Sequence, residues 1–278
     1  MLLTVLSLLA FAGNSLLCRL ALTRTTIDAA SFTTIRIAAG AAVLLLLVTL
    51  RDRARVSSGS WPSALALFVY AAGFSFAYVN LTAGTGALLL FGAVQATMIS
   101  VGVARGERLA PVQLAGLILA YTGLIGLVLP GLAAPPLLSA ALMLSAGMAW
   151  GMYSLRAKGA GDPTAVTAGN FVRAVPMALI VSALALHAQH IDLPGALYAA
   201  ASGAIASGVG YAIWYTALRE LRATTAATVQ LSVPIIAALG GVILLHEPLT
   251  SRLIVAAAAI LGGVALVVLT RVRRQVGE

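Results

Sequence analysis

Charge is what this chain has least of. Its 278 residues include 17 Lys and Arg and 8 Asp and Glu, 9% in all, where soluble domains carry about 25%. A surface that poor in charge cannot keep a 28.3 kDa particle in water, and the mean hydropathy of +1.03 places most of the chain in lipid. The chain reads as an all-α integral membrane protein. Cysteine is nearly absent, and Cys18 alone excludes an internal disulfide and a cysteine metal cluster. The three histidines give no metal motif: His187, His190 and Asp192 share one loop at loose spacing, and His246 before Glu247 has no second histidine. No metal or cofactor is expected. Carboxylates are missing from the span interiors. Asp28, Asp52, Glu107, Asp162, Asp192, Glu220, Glu247 and Glu278 all fall in loops, span ends or the tail. No mid-span acid stands ready to carry a proton or hold sodium, so a uniporter running down its substrate gradient is the simpler expectation. No mid-span His or Asp could activate a Ser or Thr, and no phosphate-binding loop occurs, so no enzyme is expected.

What is there is apolar and regular. A helix crossing about 30 Å of hydrocarbon needs about 20 mostly apolar residues. Polar and Pro/Gly breaks leave ten such runs, near 2–22, 27–50, 61–80, 84–103, 109–130, 135–157, 163–187, 194–218, 223–245 and 249–270. The first is long enough to span and has no basic flank before it, so it reads as a helix and not as a leader. Ten spans put both termini on one side. Twelve basic residues fall on that side, among them Arg51, Arg53, Arg55, Arg105, Arg156 and Arg274, against Arg19, Arg24 and Arg252 on the other. This bias places both termini in the cytoplasm and the spans in the cytoplasmic (inner) membrane. It also accounts for the net charge of +9 without a nucleic-acid partner. The expected partners are the bilayer and a small-molecule substrate, with monomer and homodimer both open.

The two halves resemble each other. Arg19 in "NSLLCRL" lies against Arg156 in "GMYSLRA", and Arg36 in "TTIRIAAG" against Arg173 in "GNFVRAVP", both at a shift of 137. "AVQAT" meets "TVQLS" at 135, pairing Gln95 with Gln230, and "GERLA" meets "HEPLT" at 140, pairing Glu107 with Glu247. Shifts that keep one order and drift slightly with loop length indicate duplication of a five-helix unit. The units are expected at 1–132 and 133–278, the second carrying a short basic tail. An odd number of spans per unit inverts the second copy, an arrangement of secondary transporters whose substrate sites lie at the repeat interface.

With ten spans from five plus five, "SFTTIRIAAGAAVLLLL" as the second helix, "YVNLTAGTGALLLFGAVQATM" through the fourth, and "GERL" and "HEPLT" opening the fifth and tenth, the chain resembles the EamA-type exporters of the drug/metabolite transporter superfamily. The likeness covers essentially the whole chain, and it extends to the aromatic amino acid exporters of that family. It implies export of small metabolites by alternating access. Drugs or other metabolites are the alternative cargo, and a lipid scramblase, a flippase or a channel is the alternative of another class.

Polar groups within spans are candidate site residues, because hydrocarbon penalises them unless they are paired or face water. Gln95 and Gln230 lead, since an amide both donates and accepts and so suits a zwitterionic solute; the alternative is that they only tie helices together. Tyr78, Trp150, Tyr153, Tyr211, Trp214 and Tyr215 are candidate cavity aromatics, able to stack on a side chain or hold an ammonium. Trp61, Tyr70 and Tyr198 are read as belt or packing. Asn14, Asn80 and Asn170 are weaker candidates of the same kind. Arg36 and Arg173, each about ten residues into a span, could receive a carboxylate, form a gate, or serve architecture. Gly147 and Gly151 make a small-residue packing face. Pro176 and Pro234, both expected mid-span, should kink their helices and act as hinges.

Overall fold

The computed structural model describes residues 2–52, 58–106, 109–131, 133–157, 161–218, 221 and 229–276. Every regular element among them is helical. In chain order these are α1 (Leu2–Arg24), α2 (Ala29–Asp52), α3 (Trp61–Tyr78), α4 (Ala83–Ala104), α5 (Pro111–Val128), α6 (Leu137–Ala157) and α7 (Pro163–Leu184). A 3-10 turn (Leu186–Ala188), α8 (Leu193–Ala201), a π-helical segment (Ser202–Val209), α9 (Gly210–Leu218), α10 (Ser232–Leu245) and α11 (Ser251–Val276) follow. Nine described helices are long and apolar enough to cross a membrane, α8, the π segment and most of α9 together forming the eighth. The shorter apolar α10 brings the count to the ten expected from the sequence. Residues 223–228 of the expected ninth span lie outside the described residues, as do Glu107 and several of the arginines used for orientation.

Local chemistry sets the helix starts. Ser60 caps α3, Thr82 caps α4 and Asp162 caps α7, each side chain accepting from a first-turn N–H that has no partner within its helix. Pro163 then opens α7 at a position where its missing N–H costs nothing. Pro234 lies in the first turn of α10. Residues 229–230 are helical, Leu231 is a turn, and the helix restarts at Ser232. Proline has no N–H to give the carbonyl four residues back, here that of Gln230. The helical hydrogen bonding therefore lapses at Leu231, whose backbone stays in the right-handed helical region, so the chain is interrupted there without leaving its helical path. Pro176 does lie inside α7.

Packing depends on small residues. A Cβ on Gly116 of α5 would stand 2.6 Å from the Gly263 carbonyl of α11, and a Cβ on Gly263 would run into the Gly116 carbonyl, so only glycine lets these backbones touch. Gly147 and Gly151 seat α6 on α4 in the same way, against Leu90, Ala93, Val94 and Thr97. Besides α5 with α11, α2 packs on α7, α3 on α6, and α1 on α8, α9 and α10. Leucines and isoleucines such as Leu46, Ile125, Leu184 and Ile243 cover the outside, where lipid is the solvent.

Candidate functional site

Two cavities among the described residues bear on function. The first is central. α1 supplies Phe11, Asn14 and Ser15, α3 supplies Tyr70 and Phe74, and α4 supplies Leu90 and Phe91. The second half contributes Trp150 from α6, Ala206 from the π segment, Tyr211 from α9, and Gln230 at the break before α10. The rings are in mutual contact: Tyr70 and Trp150 have centroids 4.8 Å apart, and Trp150 and Tyr211 5.1 Å apart. Free space between them is about 20 Å³, room for roughly one water. The chamber is closed.

Asn14 and Tyr70 on its wall belong to a relay that ends on a buried cation behind the rings. Ser202 Oγ donates to Asn14 Oδ1 (2.6 Å), and Asn14 Nδ2 donates to the Tyr70 hydroxyl oxygen (3.2 Å). Arg36 NH2 donates to that same oxygen at 2.9 Å. A phenol offers two lone pairs and one proton. Both lone pairs of Tyr70 are taken, and its O–H is left to donate within the chamber, where the Tyr211 side chain is its hydrogen-bond neighbour. Arg36 is 2% exposed, and its NH1 has no hydrogen-bond partner. Its guanidinium lies 5.1 Å from the Tyr70 ring centroid and 4.7 Å from that of Phe74. Ring faces return roughly 2 kcal/mol to a desolvated cation, well short of the several kcal/mol that burying it costs. Among the described residues the ion pair is Arg19 with Glu247, so no carboxylate neutralises Arg36. Ser15 Oγ, buried on the same chamber wall, also lacks a partner. The π segment is pressed onto α2 here, since a Cβ on Gly203 would collide with the Arg36 carbonyl.

The second cavity is a vestibule of about 460 Å³ at the end of the bundle where α3 and α7 begin and α6 ends. Ser58, Ser60, Ser63, Tyr153, Arg156 and Asn170 give it a polar lining. Trp150 and Tyr153 stack with centroids 5.2 Å apart at 23°. Trp150 faces the chamber and Tyr153 the vestibule, so this pair separates the two.

The opposite end is latched. Arg19 Nε donates to Glu247 Oε1 at 2.9 Å, and Arg19 NH1 donates to the carbonyls of Tyr78 and Val79 at the end of α3. Glu247 Oε2 accepts the N–H of Ala83 at the start of α4 at 2.7 Å. The positive φ of His246 turns the chain so that Glu247 reaches inward after α10. Arg252 NH1 donates to the Leu127 and Leu129 carbonyls, closing α5 against α11 at the same end.

Of the residues singled out from sequence, the structure brings Asn14, Trp150, Tyr211 and Gln230 together around the chamber. Tyr153 and Asn170 face the vestibule instead. Gln95 is 6% exposed within α4 and lines neither cavity, so the two glutamines do not share one. Tyr78 is fully buried at the latch end and donates to the Ala83 carbonyl. Asn80 lies beyond the end of α3 and donates to Ser139 Oγ. Trp214 packs edge-on against Phe11 behind the chamber, and Tyr215 is half-buried outside both cavities. Arg173 binds the Ser58 and Gly169 carbonyls at the vestibule end, unlike its repeat partner Arg36. Of the two readings given to Tyr70, belt and packing, 5% exposure leaves packing, and its place on the chamber wall goes beyond both. A signal for it was present, because Tyr70, Phe74 and Tyr78 recur every four residues and so form one aromatic stripe.

Residues 137–269, from α6 into α11, match the EamA-like transporter family. The uncharacterized protein PA1977 of Pseudomonas aeruginosa is 56% identical over 280 residues, spanning 100% of this chain and 97% of its own length. A protein of known crystal structure is similar over 97% of this chain and 96% of its own, with a TM-score of 0.66 at 17% identity, a likeness of fold. A ten-helix membrane bundle, a small ring-lined chamber at its centre and these matches agree that the chain belongs to the EamA-like transporter family of the drug/metabolite transporter superfamily.

Proposed function

We propose that this membrane protein exports small metabolites by alternating access, with amino acids, aromatic ones first, as the cargo. The observation that carries the reading is Arg36: a buried guanidinium with a free NH1, no carboxylate partner, and a place against two rings that line the chamber. A buried charge normally has a partner, and a substrate carboxylate reaching the Tyr70 hydroxyl would supply it. The surrounding rings suit an aromatic or aliphatic side chain. Asn14, Ser15 and Gln230 are proposed to bind the remaining polar groups, with Arg173 and Pro176 in supporting roles.

The chain is read as two inverted five-helix units, 1–132 and 133–278, in the inner membrane with both termini cytoplasmic. The vestibule then opens to the cytoplasm and the latch closes the outside, which is an inward-facing state. With no acid inside the spans, transport runs as uniport. Counterflow of L-phenylalanine in proteoliposomes tests the reading. Uptake should be saturable and absent for phenethylamine, which lacks the carboxylate. Arg36→Gln should lower it by about tenfold or more, as expected for a lost charge-assisted contact. Equal transport of the amine would refute the role given to Arg36, and uphill accumulation on a pH gradient alone would refute uniport.

A further inference from the structure

The vestibule has the makings of a binding site in its own right. Its volume of about 460 Å³ lies within the range of small-molecule pockets, whereas the central chamber at about 20 Å³ is too tight for a solute. Its floor is a prepared polar surface. Asn170 is 1% exposed and is fixed on both sides, accepting the Ser60 N–H at 2.9 Å and donating toward the Tyr153 hydroxyl at 3.4 Å. Ser60 Oγ donates to Ser63 Oγ at 2.9 Å, and Arg156 Nε reaches that same Ser63 oxygen at 3.2 Å.

Arg156 stands out in this arrangement. Its side chain is exposed to the vestibule, Ser63 is its hydrogen-bond partner, and it makes no ion pair among the described residues. A guanidinium forms a planar fork that matches a carboxylate with two parallel hydrogen bonds. One serine leaves most of that fork free. The stacked Trp150 and Tyr153 begin where this cation ends: Tyr153 shares the vestibule with Arg156, and Trp150 is a wall of the chamber beyond. One aromatic layer therefore divides a roomy site with a free cation from a closed site with a buried one.

We propose that the vestibule is a loading site for carboxylate-bearing small molecules. Arg156 holds the carboxylate, Ser63 and Asn170 orient it, and the Tyr153 ring supports an apolar side chain. The bound solute then waits beside the Trp150 and Tyr153 layer until the rings part and Arg36 receives it. The role assigned to Arg36 rests on the export reading; the vestibule's affinity for carboxylates does not.

The test uses protein reconstituted in nanodiscs, with Trp61→Phe and Trp214→Phe so that Trp150 is the reporter. Benzoate, L-phenylalanine and phenylalanine methyl ester are titrated while Trp150 emission is followed. Both carboxylates should change the emission saturably and the ester should not. Arg156→Gln should weaken the carboxylates by about tenfold, and Arg156→Lys should recover most of the loss. Arg36→Gln should leave this binding in place while lowering counterflow by about tenfold or more. Carboxylate binding that persists unchanged in Arg156→Gln overturns the loading site, and so does an emission that no carboxylate alters. Arg156-dependent binding with no counterflow of any carboxylate upholds the loading site and overturns the export reading.

Discussion

At the scale of single residues, the Tyr70 hydroxyl ties the relay together. It accepts from Asn14 and from Arg36, and one proton is left to donate. Tyr70→Phe removes that donor and also leaves Asn14 and Arg36 without an acceptor. Because unmade buried bonds to a charged group cost about 1–3 kcal/mol, we expect phenylalanine counterflow to lose about tenfold in kcat/KM with the fold intact; an unchanged value removes Tyr70 from the site. Asp28 at the latch end gives a pH prediction. Its Oδ1 accepts from Ala30 and Ser31 to cap α2, and its Oδ2 accepts from the His190 backbone. Partial burial alone would raise the Asp28 carboxyl, but hydrogen bonds from Ser31, His190 and Ala30 outweigh it and hold the group below its ordinary value of 3.8. A carboxyl lowered in the folded state stabilises the fold above its unfolded pKa, and the benefit disappears as pH falls through the folded one. Asp28→Ala should thus cost about 1 kcal/mol near neutrality, the usual cost of a lost cap. The deficit should shrink below about pH 4, and thermal unfolding in detergent across a pH series measures it.

At the scale of elements, the break before α10 is a place where sequence and structure diverge for a clear reason. A proline at position 234 announces a lost helical hydrogen bond unless it opens a helix, and the repeat shift of 135 puts Ile99 of α4 opposite it. The sequence could not say whether the chain would bend around the proline or its hydrogen bonding would lapse before it. The helical hydrogen bonding lapses at Leu231, with Gln230 on the chamber wall, while Gln95 stays inside the unbroken α4. Sequence identity between the two glutamines was legible, and their different surroundings were not, because burial depends on the partner helix. The small-residue face of Gly147 and Gly151 was legible for the opposite reason: spacing alone fixes which side of a helix is bare. Pro234→Ala would restore a donor for the Gln230 carbonyl and let α10 extend across the break. We expect a change in counterflow rate larger than the change in thermal stability. An equal rate would show that the break takes no part in transport.

At the scale of the whole molecule, the fold was readable from hydropathy and length, since lipid permits few answers, but which end stands closed was not. That depends on a half-buried ion pair between Arg19 and Glu247, 228 positions apart, with side chains 16% and 12% exposed. Through its other bonds the pair joins α1, the end of α3, the start of α4 and the turn after α10. At the vestibule end the repeat partner of Arg19, Arg156, makes no such pair among the described residues. A latch at one end only is what the proposed alternating access asks of a resting carrier, and on that reading the latch should contribute measurably to the bias. Glu247→Gln keeps the shape and removes the charge, so the latched end should open more often. Loss of an interaction of about 1 kcal/mol shifts a two-state population by roughly fivefold. Spin labels at Thr23→Cys and Ser251→Cys in a Cys18→Ser background should report a longer distance between α1 and α11 in a larger share of molecules. Arg19→Gln should do the same, and the double substitution should add little to either single one, because both remove one shared interaction. Additive shifts would mean that the two residues act on separate contacts and that the ends are held by helix packing instead.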